Sequence, residues 1–380
     1  MKSIFISNYF NHHQKPLSDA LTIHLNQDYR FIETGEMTQE REALGWNIEH
    51  SPEYLVQADK SSYEETMCAD VVISGSAPEA MLRRRIRAGK LIFRYSERPL
   101  KHGLQPLKYL PRLLKWHYRN PPGKPIYMLC ASAYAAGDYR KFGLFRNRCY
   151  KWGYFPETRK YPDLDKLFAG KSPTTILWCG RFLDWKHPDD VLKIAGRLKK
   201  AGVPFALKLV GTGPMENALR QWVLDNALGD CVAFLGTMPP EKVRDCMEQA
   251  GIFLFTSDRR EGWGAVVNEA MNSGCAVVAS DAAGSVPYLI QDKENGLVYH
   301  SGNTDELFER VKGLLDHPAE QRRLGEAAYR TIADLWNAEI AAKRLIALSK
   351  AILDGDASPE LFEDGPCSRA EIIREDWYIE

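Results

Sequence analysis

Two glutamates and two glycines lie in one short stretch whose residue types suit the binding of anions and hydroxyl groups. Glu261 and Glu269 are separated by seven residues, and Gly262 and Gly264 lie between them. A carboxylate accepts strong hydrogen bonds from vicinal hydroxyls, and the start of a helix binds phosphate oxygens through free N–H groups. Together these features predict a nucleotide-sugar site. The alternative is that Glu261 caps a loop and Glu269 is a solvated helix residue.

The segments around this stretch predict where it lies in the fold. Residues 252–255 form an apolar run typical of a buried parallel strand, residues 265–273 have helical composition, and residues 275–279 form another short strand. Glu261 is therefore predicted on a loop at the carboxyl end of a strand. In an open α/β sheet, ligands bind at that edge.

Five further motifs accompany the stretch in order along the chain. The first, Ile176-Leu-Trp-Cys-Gly-Arg-Phe-Leu-Asp-Trp-Lys186, contains Gly180 and Arg181, and the others are 207–215, 234–239, 283–290 and 295–298. In order and spacing they resemble the retaining GT-B glycosyltransferases of the large family four, the glycosyl transferases group 1. The resemblance covers about 170–340.

The resemblance implies a role for each matching residue. Arg181 and Lys186 are expected to clamp the diphosphate of the donor, where negative charge develops as the anomeric bond breaks. Glu269 is expected to hold the ribose hydroxyls and Glu261 to face the donor hexose. The remaining donor-binding residues expected from the family are Gly180, Gly211, Gly213, Thr237, Met238, Gly262, Gly264, Ala265 and Val266.

The function that the resemblance implies is retaining, metal-independent hexosyl transfer. The donor is expected to be a nucleotide sugar, with UDP preferred because it is the commonest base among relatives, and no cofactor is expected. The acceptor is expected to be a glycan or glycolipid in lipopolysaccharide or capsule synthesis. Two alternatives stay open: a sugar-nucleotide epimerase of the same fold, and a non-catalytic nucleotide-sugar or glycan-binding protein. The pair Asp163 and Asp165 resembles a metal site of another glycosyltransferase fold but lies in a predicted linker, so no metal site is expected there.

Composition narrows the remaining functional classes. The 380 residues are 44% hydrophobic, enough for two cores, and 50 basic residues balance 50 acidic ones, so no general affinity for nucleic acid is expected. No leader-like segment or membrane span is apparent, which predicts a cytoplasmic location. The eight cysteines are dispersed without a Cys-x-x-Cys pair, so they are expected to be reduced core residues.

The alternation of strands and helices predicts the α/β class, with two Rossmann-like doubly wound parallel-sheet domains facing a central cleft, the GT-B fold. The expected domains are an acceptor-side domain over 1–165 and a nucleotide-sugar domain over 166–350, joined by a linker over 156–173. The acidic segment 351–380 is expected to pack back on the first domain.

Two places in the first half are candidates for acceptor contacts. His12 and His13 follow the predicted strand 3–7, and Glu97 and Arg98 follow the predicted strand 91–95. All four are predicted at carboxyl ends of strands. The alternatives are solvated histidines and, for Glu97 and Arg98, an internal ion pair.

A basic stretch between residues 81 and 124 contains thirteen Lys or Arg against one acidic residue, Glu97, with leucines and aromatic residues interleaved. Two interpretations stay open. One is peripheral contact with an anionic membrane, at its inner face, or with a phosphorylated glycolipid acceptor. The other is an ordinary helix with a solvated basic face, paired with the acidic segment 351–380.

Overall fold

The chain divides into two compact α/β units in the computed structural model, which describes residues 1–38, 46, 48, 50–374 and 377–379. Unit 1 comprises the described residues of Met1–Glu157 together with Asn337–Ile373. Unit 2 comprises Thr158–Trp336 together with the described residues after 373. Each unit contains one parallel sheet, of seven strands in unit 1 and six in unit 2. The predicted class of two doubly wound parallel-sheet domains is confirmed.

The strands are short and their side chains are mostly buried. Those of unit 1 are β1 (Ser3–Ser7), β2 (Tyr29–Glu33), β3 (Leu55–Gln57), β4 (Val71–Ser74), β5 (Ile92–Ser96), β6 (Ile126–Cys130) and β7 (Cys149–Lys151). Those of unit 2 are β8 (Ser172–Cys179), β9 (Ala206–Val210), β10 (Val232–Gly236), β11 (Ala250–Phe255), β12 (Ala276–Ser280) and β13 (Leu297–Tyr299).

Helices connect these strands and end the chain. The described helices are α1 (Lys15–Leu25), α2 (Lys60–Cys68), α3 (Glu79–Arg87), α4 (Pro106–Arg119), α5 (Ala135–Lys141), α6 (Leu164–Ala169), α7 (Pro188–Lys200), α8 (Glu216–Asp225), α9 (Pro240–Gln249), α10 (Val266–Asn272), α11 (Val286–Leu289), α12 (Thr304–Asp316), α13 (Pro318–Arg330) and α14 (Ala338–Leu353). Short 3₁₀ turns at Asn26–Asp28 and Asp184–Lys186 and a π-helical segment at Thr331–Leu335 complete the set.

Both sheets reverse their strand order at one point, and that point is where ligands bind in open α/β sheets. The order is β3-β2-β1-β4-β5-β6-β7 in unit 1, which reverses between β1 and β4. In unit 2 the order is β10-β9-β8-β11-β12-β13, which reverses between β8 and β11. The loops that follow β8 and β11 therefore leave the sheet toward opposite sides, and a crevice opens between them.

Sequence pattern explains the central elements of unit 2. Every residue of β11 and β12 is buried, as expected for parallel strands that are covered on both faces. Helix α7 begins with Pro188 and two aspartates and ends with lysines, which complements the helix dipole. Its residues Val191, Ile194 and Leu198 lie on one face and pack on the sheet in the main core of the unit.

The last helix belongs to unit 1, so the chain returns to that unit at Asn337 rather than at the expected residue 351. Asn337 caps α14 by accepting a hydrogen bond from the N–H of Ile340 at 2.9 Å. Helix α14 packs along α1, and His24 Nε2 lies 3.1 Å from Glu339 Oε1. The first boundary lies at Glu157 rather than residue 165, and helix α6 lies within the predicted linker.

The segment after α14 runs beside β7, the edge strand of the unit 1 sheet. Arg369 forms an antiparallel bridge with Tyr150, and Lys151 Nζ lies 2.5 Å from Asp364 Oδ1. The Tyr127 hydroxyl donates to the carbonyl of Ala357 at 3.0 Å. Covering the edge in this way satisfies backbone groups that an open strand leaves exposed.

Within the described part of the chain, no helix combines the length and the apolar character that a bilayer-spanning helix requires.

We predict that Arg85 stabilises unit 1, although its sequence position suggests a solvated basic face. The buried guanidinium donates hydrogen bonds to the carbonyl oxygens of Thr66, Ala69, Asp70 and Leu91 at 2.6–3.0 Å. Arg85→Ala leaves these acceptors without a donor and should lower the free energy of unfolding by about 3 kcal/mol or more. Urea denaturation of the full chain, followed by circular dichroism, measures the loss.

The neighbouring Arg84 supplies the matched control for this experiment. Its exposed side chain pairs with Glu64, so Arg84→Ala should cost less than about 1 kcal/mol. Equal losses in the two variants would contradict the structural role of Arg85.

Candidate functional site

The candidate site lies at the point where the unit 2 sheet reverses its strand order. Residues 180–186 follow β8 and residues 256–264 follow β11, the two strands that border the crevice. The structure therefore brings together, at the carboxyl edge of one sheet, the Gly180 motif and the Glu261 stretch that the sequence places about 75 residues apart.

An ion pair of Lys186 with Glu261 connects these two loops. Lys186 Nζ lies 2.5 Å from Glu261 Oε2, and the two side chains are 17% and 16% exposed. Ser257 Oγ donates to the same carboxylate oxygen at 3.2 Å. The pair presents a cation and a hydrogen-bond acceptor to the crevice side by side, and each charge compensates the burial of the other.

A second set of contacts fixes the backbone on which the ion pair stands. Thr256 Oγ1 donates to the carbonyl of Lys186 at 2.5 Å and accepts from Trp178 Nε1 at 2.9 Å. The N–H of Asp258 donates to the carbonyl of Trp185 at 2.8 Å. Of these residues, Thr256 and Asp258 are not among those singled out by the sequence analysis. The one sequence feature that could have drawn attention to this place is a threonine directly after a buried apolar strand. That feature does not indicate which residues the threonine contacts.

Arg260 adds a charged link between the same loops that the sequence analysis also missed. Its guanidinium pairs with Asp258 at 3.0 Å and with Asp184 at 2.9 Å, and it lies over the ring of Trp185. Asp184 lies in the loop after β8 and Asp258 in the loop after β11, so Arg260 links the two loops.

Glycines allow the backbones of the loops after β8 and β9 to lie in direct contact. Gly211 has φ +127°, and a Cβ there would lie 2.0 Å from the carbonyl oxygen of Gly180. A Cβ on Gly213 would lie 2.7 Å from the backbone nitrogen and oxygen of Phe182, whose N–H donates to the carbonyl of Thr212 at 2.8 Å. The structure thus gives Gly211 and Gly213 a packing role, while their predicted donor contact stays a prediction.

Two residues predicted to contact the nucleotide base follow β10 at the same edge of the sheet. Thr237 Oγ1 lies 3.3 Å from Thr212 Oγ1, and Met238 Sδ lies 4.0 Å from the thiol sulfur of Cys246. Strand β10 is at the edge of the sheet, two strands from β8. Thr237 is therefore linked to the loop after β9, which packs on Gly180.

The start of helix α10 borders the crevice after β11. Gly264 has φ +87°, and a Cβ there would lie 2.2 Å from the Phe255 ring, so only glycine fits. No side chain caps the helix at Ala265, the residue before Val266. Gly262 precedes Trp263, whose buried indole donates to Asn268 Oδ1 at 2.9 Å and anchors the loop in the core.

Glu269 lies on α10 with its carboxyl largely surrounded by protein. Burial raises its pKa to about 7, although the positive charges of Arg244 and Arg159 act in the opposite direction. Burial also raises the pKa of the Cys179 thiol to about 12, with the Glu269 charge as the next cause. Glu269 is therefore adjacent to the end of β8, and a carboxyl with this pKa changes charge near neutral pH.

Arg181, the remaining residue predicted to bind phosphate, lies two residues after the end of β8, and its side chain is exposed. Arg181, Lys186, Glu261 and Glu269 thus lie on the elements that border one crevice. The roles of these residues toward a donor stay predictions.

The acceptor-side candidates lie in unit 1. His12 and His13 follow β1 at the strand-order reversal of that sheet, with ring centroids 3.8 Å apart and with both rings against Trp46. Burial, together with the charge of His12, holds the pKa of His13 well below its usual value, so His13 is neutral at physiological pH.

Glu97 and Arg98 follow β5, and each has an internal partner. Glu97 accepts a hydrogen bond from the Tyr154 hydroxyl at 2.7 Å and pairs with Lys101. Arg98 pairs with the buried Asp138 at 3.2 Å. Internal ion pairing, the alternative to acceptor contact, is therefore present at both residues.

The aspartate pair of the predicted linker has structural partners. Asp163 caps α6 by accepting from the N–H of Lys166 at 3.1 Å, and Asp165 pairs with Arg322. Among the described residues, no group of three or more His, Cys, Asp or Glu is arranged to hold a metal ion.

Comparison with known proteins connects unit 2 to one family. The profile of the glycosyl transferases group 1 matches residues 162–331. The amylovoran biosynthesis glycosyltransferase AmsK of Erwinia amylovora is 28% identical over 178 residues, which cover 46% of this chain and 44% of AmsK. The chain thus spans less than half the length of the curated relatives it matches.

Solved structures extend the similarity to both units. Anabaena HepE in complex with UDP and glucose has a TM-score of 0.65 at 14% identity, covering 92% of this chain and 99% of HepE. The apo form of the lipopolysaccharide outer core galactosyltransferase WaaB has a TM-score of 0.64 at 17% identity, covering 92% of this chain and 100% of WaaB. At these identities the likeness concerns the fold, and the predicted GT-B class is confirmed.

We predict that replacing Glu269 by glutamine stabilises the ligand-free protein at alkaline pH. The folded-state pKa of about 7 lies above the usual value of 4.5, so the stability that the neutral carboxyl provides is complete below about pH 4.5 and is lost as the pH rises through 7. Glu269→Gln should match the parent near pH 4 and exceed it by about 1–3 kcal/mol at pH 8. Denaturant unfolding at both pH values measures the difference.

The control for this series is Glu309→Gln, because Glu309 is exposed on α12 of the same unit. That variant should differ from the parent equally at both pH values. If Glu269→Gln behaves in the same way, burial does not perturb the Glu269 carboxyl.

Proposed function

We propose, since residues 162–331 match the profile of the glycosyl transferases group 1, that this chain is a retaining glycosyltransferase. It moves a hexose from a nucleotide sugar, a UDP-sugar in the first instance, to a glycan or glycolipid acceptor. The reaction serves the synthesis of a cell-surface polysaccharide such as lipopolysaccharide or capsule. The names of its relatives, which include amylovoran and colanic acid biosynthesis glycosyltransferases, support this class of product. The proposed location is the cytoplasm.

The observation that carries the proposal is the Lys186–Glu261 ion pair at the carboxyl edge of the unit 2 sheet, between the strands where the order reverses. Breaking an anomeric C–O bond places negative charge on the leaving diphosphate and positive charge on the sugar ring. A cation beside a carboxylate suits both developing charges. Lys186 thus faces the diphosphate, together with Arg181 on the same loop, and Glu261 faces the hexose.

The remaining donor contacts follow from the elements around this pair. The uncapped start of α10, with the N–H groups of Ala265 and Val266, adds backbone donors for the phosphates. Glu269 accepts hydrogen bonds from the ribose hydroxyls in its ionised form. Because its pKa is about 7 in the ligand-free protein, donor binding is accompanied by proton release near neutral pH. Thr237 and Met238 lie beside the base.

The proposed mechanism needs no catalytic metal or cofactor, because Arg181 and Lys186 supply the positive charge opposite the diphosphate. The leaving phosphate oxygen itself accepts the acceptor proton on the face from which it departs. Attack on that face retains the anomeric configuration. The configuration of the product, determined by NMR, separates this mechanism from an inverting one.

The proposal predicts selective stabilisation by one nucleotide sugar. UDP-, GDP-, ADP- and TDP-sugars are compared in a thermal-shift panel without added metal. A ligand at 100 times its dissociation constant should stabilise the fold by about 2.7 kcal/mol, and we expect a UDP-sugar to do so. Donor hydrolysis or transfer to a glycan acceptor then distinguishes an enzyme from a protein that only binds the nucleotide sugar. The absence of any shift across the panel would contradict the donor site.

We predict that Arg181→Ala and Glu269→Ala each weaken donor binding by about 1.5–3 kcal/mol, since each removes a charged hydrogen bond to the donor. This corresponds to roughly 10- to 150-fold in the dissociation constant. Lys200→Ala, which removes an exposed cation at the end of α7, is the control and should bind as the parent does. Parent-like affinity in both site variants would show that the site has been assigned wrongly.

A further inference from the structure

Helix α4 of unit 1 has a row of large apolar side chains exposed on its surface. Leu107, Leu110, Leu114 and Tyr118 are 96%, 60%, 63% and 68% exposed. Their spacing of three, four and four residues places them on one face of the helix. We call these four residues the α4 stripe. Leu104, just before the helix, is 51% exposed and adds to the same surface.

The opposite face of α4 fixes the helix on the core of unit 1. Tyr109, Leu113 and Trp116 are partly buried against that core, and the Trp116 ring lies 4.7 Å from the ring of Tyr139. The Tyr109 hydroxyl donates to the carbonyl of Lys141 at 2.9 Å. One apolar side of the helix therefore packs against the core of unit 1. The other apolar side, the α4 stripe, is not covered by any described residue and is exposed to solvent.

Every charged residue of α4 itself is basic, and Glu79 lies 3.5 Å from Arg119 near the end of the helix. No Asp or Glu occurs between Glu97 and Asp138. On the helix itself, Lys108 and Lys115 are exposed, and neither has a carboxylate partner among the residues that the structure describes. The exposed guanidinium of Arg83 on α3 lies 5.9 Å from the centre of the Tyr118 ring, which extends the positive surface.

The structure also shows which cations of the 81–124 stretch do not contribute to this surface. Arg85 is buried against backbone carbonyls, Arg94 pairs with Glu79 at 3.0 Å, and Arg98 pairs with Asp138. The acidic segment after α14 pairs with Lys151 and Arg369 rather than with cations of this stretch, in the part of the chain described. The basic surface is thus narrower than the sequence suggests and is centred on α4.

We propose that the α4 stripe docks on an anionic lipid bilayer, with α4 lying in the interface and its cations against lipid phosphates. An amphipathic helix with exposed leucines, basic flanks and no acidic residue fits such a surface. A second copy of this chain fits poorly, because a two-fold contact through the stripe brings the same lysines of both copies together. The inference goes beyond the proposed function and does not depend on the identity of the donor.

Vesicle cosedimentation of the full chain tests the proposal. The vesicles consist of phosphatidylcholine alone or of phosphatidylcholine mixed with phosphatidylglycerol. We expect binding to the anionic vesicles only, and binding that falls as salt is added, because the charges are screened. Absence of binding to the anionic vesicles at low salt would overturn the proposal.

Variants on the exposed faces show which residues carry the binding. Leu110→Ser with Leu114→Ser should weaken binding by roughly tenfold or more, because two apolar side chains no longer enter the interface. Lys108→Gln with Lys115→Gln should weaken it by about fivefold per charge. Leu224→Ser, at a leucine 70% exposed on α8 of unit 2, is the control and should bind as the parent does.

Three results would overturn the proposal in these variants: parent-like binding by the double leucine variant, equal loss in the Leu224 control, or a dimer in sedimentation velocity that depends on Leu110 and Leu114. The unfolding midpoint of each variant verifies that it is folded. Nucleotide-sugar thermal shifts are measured on the same samples, so failure of lipid binding is distinguished from failure of the donor site.

Discussion

The candidate site depends on a topological constraint, the divergence of the chain after two neighbouring strands of the unit 2 sheet. Strand β8 lies between β9 and β11, so the connections after β8 and β11 run toward opposite sides of the sheet. Their loops separate and leave a crevice at the carboxyl edge. The Lys186–Glu261 ion pair and the Thr256 hydroxyl rejoin the loops across that gap. The same arrangement leaves the backbone of Gly180 close enough to the β9 loop that Gly211 has no room for a side chain.

The two glutamates of the candidate site lie in different electrostatic environments. Lys186 and Glu261 compensate each other, whereas the Glu269 carboxyl is held where burial raises its pKa to about 7. A buried carboxylate is costly unless hydrogen bonds satisfy it. In the proposed donor complex, a pair of ribose hydroxyls would supply those hydrogen bonds to Glu269. This is the pattern expected where stability and function compete at one residue.

The sequence predicts unit 2 better than unit 1 for identifiable reasons. Strands such as β11 and β12 are continuous apolar runs, and helices such as α7 repeat apolar residues at helical spacing. Strand β3 went unpredicted because it has three residues and is only partly buried. Helix α14 buries Ala341, Leu345 and Leu348 at helical spacing, but such a periodicity does not indicate which unit the apolar face covers. Likewise the sequence analysis assigned Lys186 and Glu261 to the same site. It did not predict their ion pair, because that contact depends on which strands are neighbours in the sheet.

Helix α4 packs on the core of unit 1 with a different face from the one that its amphipathic pattern predicts. The leucines of a basic amphipathic helix are expected on the core and its lysines in water. Here the aromatic residues Tyr109 and Trp116 face the core, while the leucines of the α4 stripe face solvent. Exposed apolar area is unfavourable in water by about 25 cal/mol per Å² relative to an apolar environment. An anionic surface that buries the α4 stripe removes this cost and also attracts the lysines of the helix. An uncharged protein partner would bury the leucines but would not attract the lysines.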